Sequence, residues 1–97
     1  MPTYILLSNL TDEGAKALKN NPKRLQEVNK EIERYGAKVT AQYAVLGPYD
    51  FVSVVDCPDN ETIARVSVEL ASRGSIRLLT LAATPVANFI RTLKTKD

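Results

Sequence analysis

The turn at Leu46-Gly47-Pro48-Tyr49-Asp50-Phe51 constrains the fold most, because it lies in mid-chain between two apolar runs. Glycine reaches positive φ without a Cβ penalty, and proline presets φ for an early turn position. We therefore predict that residues 37–46 fold back onto residues 49–56 as a β-hairpin. A strand and a helical region precede this hairpin and a helix and a strand follow it, so the chain is symmetric about the turn.

The chain before the hairpin is predicted to form one strand and two helical segments. Residues 3–10 are apolar on both faces for most of their length, which is typical of a central strand covered on both sides. Thr11, followed by two acidic residues, indicates a helix N-cap. Asn21-Pro22 ends that helix and starts another, which closes at Gly36.

The chain after the hairpin is predicted to form a helix to about residue 73, a strand over residues 75–83 and a short terminal helix. The element order is then β-α-β-β-α-β. Right-handed crossovers place the first and third strands in the middle of a four-stranded antiparallel sheet, with the helices on one face. The sequence therefore predicts a single α+β domain over residues 1–97, a ferredoxin-like sandwich.

The content of titratable residues bears on catalysis and metal binding. The chain has no histidine, so it lacks the usual general base and the commonest metal ligand. Cys57 is the one cysteine, which permits neither an internal disulfide nor a cysteine-rich metal site. Acidic neighbours raise the pKa of a thiol, so Cys57 is expected to be a poor nucleophile. We therefore predict no catalytic residue, no metal site and no cofactor.

Charge and hydropathy limit the classes of partner. A net charge of +2, without a basic stripe or a helix-turn-helix segment, argues against nucleic-acid binding. No apolar run approaches the roughly 20 residues that a membrane helix needs. The N-terminus also lacks the pattern of a secretory signal. We expect a cytoplasmic protein that binds neither nucleic acid nor membrane.

The strands carry more apolar side chains than two helices can cover. A large apolar patch on a soluble protein usually marks an interface, and the commonest partner is a second copy related by a two-fold axis. We therefore expect a homodimer or higher oligomer in which sheets pack face to face. The side chains predicted to face the partner, in phase with the small polar residues Ser8 and Ser53, are Tyr4, Leu6, Phe51 and Leu79.

The turn and its surroundings also resemble a known family. Gly47-Pro48-Tyr49-Asp50-Phe51-Val52, with Tyr43 before it and Asp56-Cys57-Pro58-Asp59-Asn60-Glu61 after it, is similar to the GYD-domain family. Leu10-Thr11-Asp12-Glu13-Gly14 and Gly74-Ser75-Ile76-Arg77 extend the resemblance over roughly residues 4–93. It implies the dimeric α/β-barrel fold and a largely uncharacterised role. The sequence departs from the family at Ala82-Ala83-Thr84, where members tend to carry Arg-Ala-Phe.

Seven residues are candidates for contacting a small molecule: Tyr4, Ser8, Tyr43, Tyr49, Asp50, Ser53 and Arg77. The two serines, with Gln42, are predicted to be polar points in an apolar cavity on the sheet face away from the helices. The tyrosines at 43 and 49 either line a pocket with their hydroxyls or pack their rings. Asp50 more readily fixes the turn than contacts a ligand. Arg77 is either an anion clamp or half of an ion pair at the sheet edge.

Two classes of function remain open. The first is a non-enzymatic module that binds small molecules or assembles proteins, without a cofactor. The second is a cofactor-free enzyme, because the resemblance extends to dimeric α/β barrels that include monooxygenases and isomerases. In that case Tyr49, Asp50 and Arg77 are the candidate catalytic residues, in a cavity lined by the sheet.

Overall fold

The computed structural model describes residues 1–94 and contains one sheet and four helices. The strands lie in the order β2-β3-β1-β4, and every neighbouring pair is antiparallel. This confirms the predicted α+β fold with the ferredoxin-like order, and it places the first and third strands in the middle. In chain order the elements are β1 (Thr3–Leu10), α1 (Asp12–Asn20), α2 (Arg24–Arg34), β2 (Lys38–Ala44), β3 (Phe51–Asp56), α3 (Asn60–Ala71), β4 (Ile76–Ala83) and α4 (Val86–Lys94).

Short polar side chains start two of the helices. The Thr11 hydroxyl accepts a hydrogen bond from the backbone N–H of Gly14 at 3.1 Å, and it begins α1. The Asp59 carboxylate accepts from the N–H of Thr62 at 2.8 Å and begins α3. Hydrogen bonding from the Thr62 side chain, together with this backbone bond, holds the pKa of Asp59 below its usual range. No helix within residues 1–94 has both the length and the apolar character needed to cross a bilayer.

Helices α1, α2 and α3 cover one face of the sheet. Burial alternates along β1 and β3, which sends one set of side chains from each strand under the helices. The apolar core lies between these side chains and the inner faces of α2 and α3. Its buried members are Tyr4, Leu6, Ile32, Ala37, Val55, Cys57, Ile63, Val66 and Leu70.

The predicted choice of partner-facing residues was wrong. Tyr4, Leu6 and Phe51 are buried beneath the helices, whereas Leu79 lies on the opposite face with 45% of its surface exposed. Alternation shows which residues share a face, but it does not show which face the helices cover. In strands that are apolar on both sides, the phase is set by helix packing rather than by the strand sequence.

The opposite face of the sheet carries a continuous apolar surface that α1, α2 and α3 leave uncovered. Directly paired residues of antiparallel strands share a face, and Leu7 is paired with both Val52 and Leu79. The next row down pairs Ile5 with Val54 and with Leu81 in the same way. We call this the open sheet face, and its apolar members are Ile5, Leu7, Val52, Val54, Leu79 and Leu81.

The terminal helix α4 follows the edge strand β4 and buries none of its residues. Its apolar side chains recur at helical spacing and form one stripe, made of Val86, Phe89, Ile90 and Leu93. The radius of gyration is 15.0 Å, above the roughly 13 Å expected of a compact domain of this length. The molecule therefore has an amphipathic helix whose apolar stripe is uncovered in the isolated chain.

Candidate functional site

The end of β1 is tied to the central hairpin by Asp50. One carboxylate oxygen, Oδ2, accepts the backbone N–H of Leu10 at 2.8 Å. The N–H of Asp50 in turn donates to the carbonyl of Ser8 at 2.9 Å. Both bonds join segments about 40 residues apart, so the Asp50 side chain is occupied in fixing the turn against the sheet.

The start of α1 is tied to the start of β4 at the same end of the sheet. Thr11 donates its backbone N–H to the carbonyl of Ser75 at 3.0 Å and its hydroxyl to the carbonyl of Gly74 at 2.7 Å. A Cβ at Gly14 would lie 1.9 Å from that Ser75 oxygen, so only glycine fits there. The stretches 10–14 and 74–77, which are far apart in sequence, therefore form one junction.

A cavity of about 120 Å³ lies beside this junction, between the sheet and the helices. The Phe51 ring lines it and is buried, but it is not part of the main core cluster. The cavity is partly open to solvent, so it is a pocket and not an enclosed void. The other lining residues are Ser8, Leu10, Gly14, Ala17, Leu18, Arg24, Leu25, Val28, Gln42, Leu70, Arg73, Ser75 and Ile76.

The polar residues at the cavity belong to the set that the sequence predicts to lie in one cavity, namely Ser8, Gln42 and Ser53. Ser8 and Gln42 both line the cavity, and the Gln42 amide donates to the Ser53 hydroxyl at 3.0 Å. Asn29 on α2 also donates to the Gln42 side-chain oxygen, at 2.9 Å. These residues do share one face, but it is the helix-covered face and not the open one. The prediction placed the cavity on the wrong side for the same reason that it misplaced Phe51.

Two arginines stand at the cavity and share one carboxylate. Arg24 Nη1 lies 3.3 Å from Glu31 Oε1, and Arg73 Nη2 lies 2.5 Å from Glu31 Oε2. The hydrogen bond from Arg73, aided by Arg24, holds the pKa of Glu31 below its usual range. Nothing in the sequence indicated this group, because its arginines were indistinguishable from the charged residues of solvated helix surfaces.

The remaining candidates lie apart from the cavity. Tyr4 is buried in the core, where its hydroxyl donates to Asn60 Oδ1 at 2.5 Å and where burial raises its pKa. Tyr43 is 62% exposed and is paired with Val52, so it lies on the open sheet face. Arg77 is exposed on the edge strand β4, and Tyr49 is half-buried in the hairpin turn. No hydrogen bond or ion pair within residues 1–94 joins Tyr49, Asp50 and Arg77 to one another.

Cys57 is fully buried at the end of β3, and burial raises the pKa of its thiol. Its Sγ contacts the carbonyl oxygen of Asp59 at 3.7 Å, and its backbone N–H donates to the carbonyl of Pro2. A thiol in this state is a packing group rather than a nucleophile. Across residues 1–94, no group of three or more acidic, cysteine or histidine side chains is placed to hold a metal ion.

Comparisons with known proteins identify a family, and the similar proteins include two from Thermus thermophilus. A family model described as GYD domain matches residues 4–93. A Thermus thermophilus protein, named glutamine synthetase and cystathionine beta-lyase binding protein, is 59% identical over 95 residues, which are 97% of this chain and 100% of that protein. The crystal structure of TTHA0845, also from Thermus thermophilus, has a TM-score of 0.57 and 26% identity, covering 88% of this chain and 95% of that one.

Proposed function

This chain belongs to the GYD-domain family, and from that membership we propose that it is a cytoplasmic assembly protein that dimerises and binds metabolic enzymes. The observation that carries the proposal is the open sheet face, an apolar surface that spans the three strands β3, β1 and β4. Leu79 and Leu81 are each more than 40% exposed there. An apolar patch of this extent on a soluble protein marks an interaction surface.

The occupant that we propose for the open sheet face is a second copy of the chain. An isologous contact buries the same patch on both copies, so one apolar surface is enough to close the assembly. The apolar members cluster on β1 and its two neighbours, so two sheets can pack with their centres in register. The result is the dimeric α/β barrel that the family resemblance implies.

The proposed protein partners are glutamine synthetase and cystathionine beta-lyase. The name of a relative that is 59% identical to this chain includes both enzymes. A two-fold dimer presents each remaining surface twice, so it can link two enzyme molecules and gain avidity from doing so. This arrangement gives the module an assembly role without a reaction of its own.

Enzyme binding is tested with the full chain and each purified enzyme by isothermal titration calorimetry. We expect saturable binding of at least one enzyme, with a stoichiometry set by the dimer. The same titration with an unrelated enzyme of similar charge is the control. Absence of heat and of co-migration in size-exclusion chromatography for both enzymes would contradict the proposal of these partners.

Self-association is tested separately by sedimentation equilibrium of the parent and of Leu79→Asp. A charge at position 79 would be buried in the interface without a partner, and that costs several kcal/mol. We expect the parent to be dimeric and Leu79→Asp to be a folded monomer. Ala64→Asp adds the same charge on the exposed surface of α3 and should stay dimeric. A monomeric parent, or a dimeric Leu79→Asp, would refute the sheet-to-sheet dimer.

A further inference from the structure

We propose that the cavity beneath the helices binds a small carboxylate with a compact apolar body. This inference does not rest on the proposed dimer, since the cavity lies on the other side of the sheet from the open sheet face. The charged groups that line it are Arg24 and Arg73, and no acidic residue lines it within the described chain. These two guanidiniums offer donors to an anion at the cavity, beside the Glu31 carboxylate that they already bind.

The size and lining of the cavity define the body of the ligand. A cavity of about 150 Å³ lined by aliphatic and aromatic side chains accepts benzene, and this one measures about 120 Å³. Leu18, Leu25 and Val28 form the helix side, and Phe51 and Ile76 form part of the sheet side. A ring or a branched aliphatic group of about six carbon atoms is near the upper limit of this volume.

The arginines have unused hydrogen-bond donors for a second carboxylate. A guanidinium offers five N–H donors, but the ion pairs use only Nη1 of Arg24 and Nη2 of Arg73. Glu31 is held by both, and Glu27 approaches Arg24 only at 3.9 Å. Arginine and carboxylate are matched in geometry for paired hydrogen bonds, so a ligand carboxylate can join this group at the cavity mouth.

The Ser8 hydroxyl supplies a polar point inside the cavity. Ser8 is 8% exposed and lines the cavity, and its hydroxyl makes no hydrogen bond within residues 1–94. The neighbouring Gln42 amide, in contrast, is engaged by Asn29 and Ser53. A few placed polar groups in an apolar pocket are the usual construction of a small-molecule site. Ser8 therefore favours a ligand that carries a hydrogen-bonding group on its apolar body.

The test uses benzoate as the probe, titrated into the full-length ¹⁵N-labelled protein and followed by amide chemical shifts. We expect saturable shifts at cavity residues such as Ser8, Phe51 and Ser75. Benzyl alcohol, which keeps the ring but lacks the charge, should bind at least about ten-fold more weakly. Acetate, which keeps the charge but lacks the ring, should also bind more weakly. Equal binding of benzoate and benzyl alcohol, or shifts confined to the open sheet face, would overturn the proposal.

Two substitutions test the arginines in opposite directions. Arg24→Gln with Arg73→Gln should weaken benzoate binding about ten-fold or more, whereas Glu31→Gln should tighten it because it releases both guanidiniums. Arg34→Gln, on the exposed C-terminal part of α2, is the matched control and should leave binding unchanged. Weaker or unchanged binding by a folded Glu31→Gln would contradict the assignment, and this outcome is readable even if the double variant does not fold.

Discussion

Gly47 holds φ at 110° in the central turn, and nothing lies within 4 Å of the position that its Cβ would occupy. Any penalty for a side chain there is therefore backbone strain and not a clash. Gly47→Val should lower the free energy of unfolding by about 1–3 kcal/mol, because a β-branched residue is strained at positive φ. Urea denaturation measures this. Leu46→Val, at a fully exposed neighbour, should have little effect, and an unchanged midpoint for Gly47→Val would show that the turn tolerates a side chain.

Cys57 offers a second prediction at the residue scale. Because burial raises the pKa of its thiol, little thiolate is present at neutral pH, and a thiol reagent should label the native protein far more slowly than a free-cysteine peptide. Cys57→Ser places a hydroxyl among core side chains and should lower the free energy of unfolding by about 1 kcal/mol. Mass spectrometry follows the labelling. A rate equal to that of the free-cysteine peptide would contradict the burial of Cys57.

The sequence predicted local backbone conformations better than it predicted contacts between distant parts of the chain. Thr11 as a cap and glycines at positive φ after α2 and α3 follow from backbone rules that need only neighbouring residues. The role of Gly14 did not follow, because it depends on a carbonyl that lies about 60 residues further along the chain. Glycine within a helix is the one local signal that could have indicated it.

Among the elements, α2 and the end of α3 are joined at Glu31, whose pKa is lowered by Arg73 and Arg24. A group with a lowered folded pKa stabilises the protein above its unfolded pKa, and that contribution is lost as pH falls through the folded value. The thermal midpoint of Glu31→Gln should therefore be lower than that of the parent at neutral pH. The two midpoints should converge in acid, at pH values below the ordinary glutamate pKa of about 4.3. Glu33→Gln, exposed on the same helix, is the control. An equal difference from the parent at every pH would argue against the ion pairs.

Element positions were predictable because each element carries its own period and its own boundary residues. The break at Asn21-Pro22 and the apolar runs of β1 and β3 indicated the elements and their order. The helix-covered face was not predictable, since Leu6 and Leu7 are chemically equal and only tertiary packing separates them. The grouping of the two arginines at the cavity was also not predictable, because the pairing of Arg73 with Glu31 joins segments that are far apart in sequence.

For the whole molecule, the uncovered stripe of α4 leads to a prediction about assembly. Phe89 is 53% exposed in the isolated chain, so the free energy of unfolding of monomeric Phe89→Asp should differ from that of the parent by less than about 0.5 kcal/mol. If the stripe packs on a second copy, the same substitution should weaken self-association measured by sedimentation. Lys94→Asp adds negative charge on the same exposed helix and is the control for charge alone. Unchanged dimerisation of Phe89→Asp would exclude α4 from the interface.

The strand order has a consequence for the protein while it is being synthesised. β1 is made before both of its neighbours, β3 and β4, and β4 is the last strand of the sheet to be made. At ordinary translation rates, the delay between synthesis of the apolar β1 segment and synthesis of the strands that complete its hydrogen bonds is on the order of seconds. An unpaired apolar strand is a template for aggregation during that interval, so the nascent chain, rather than the finished domain, is the form that most depends on chaperones.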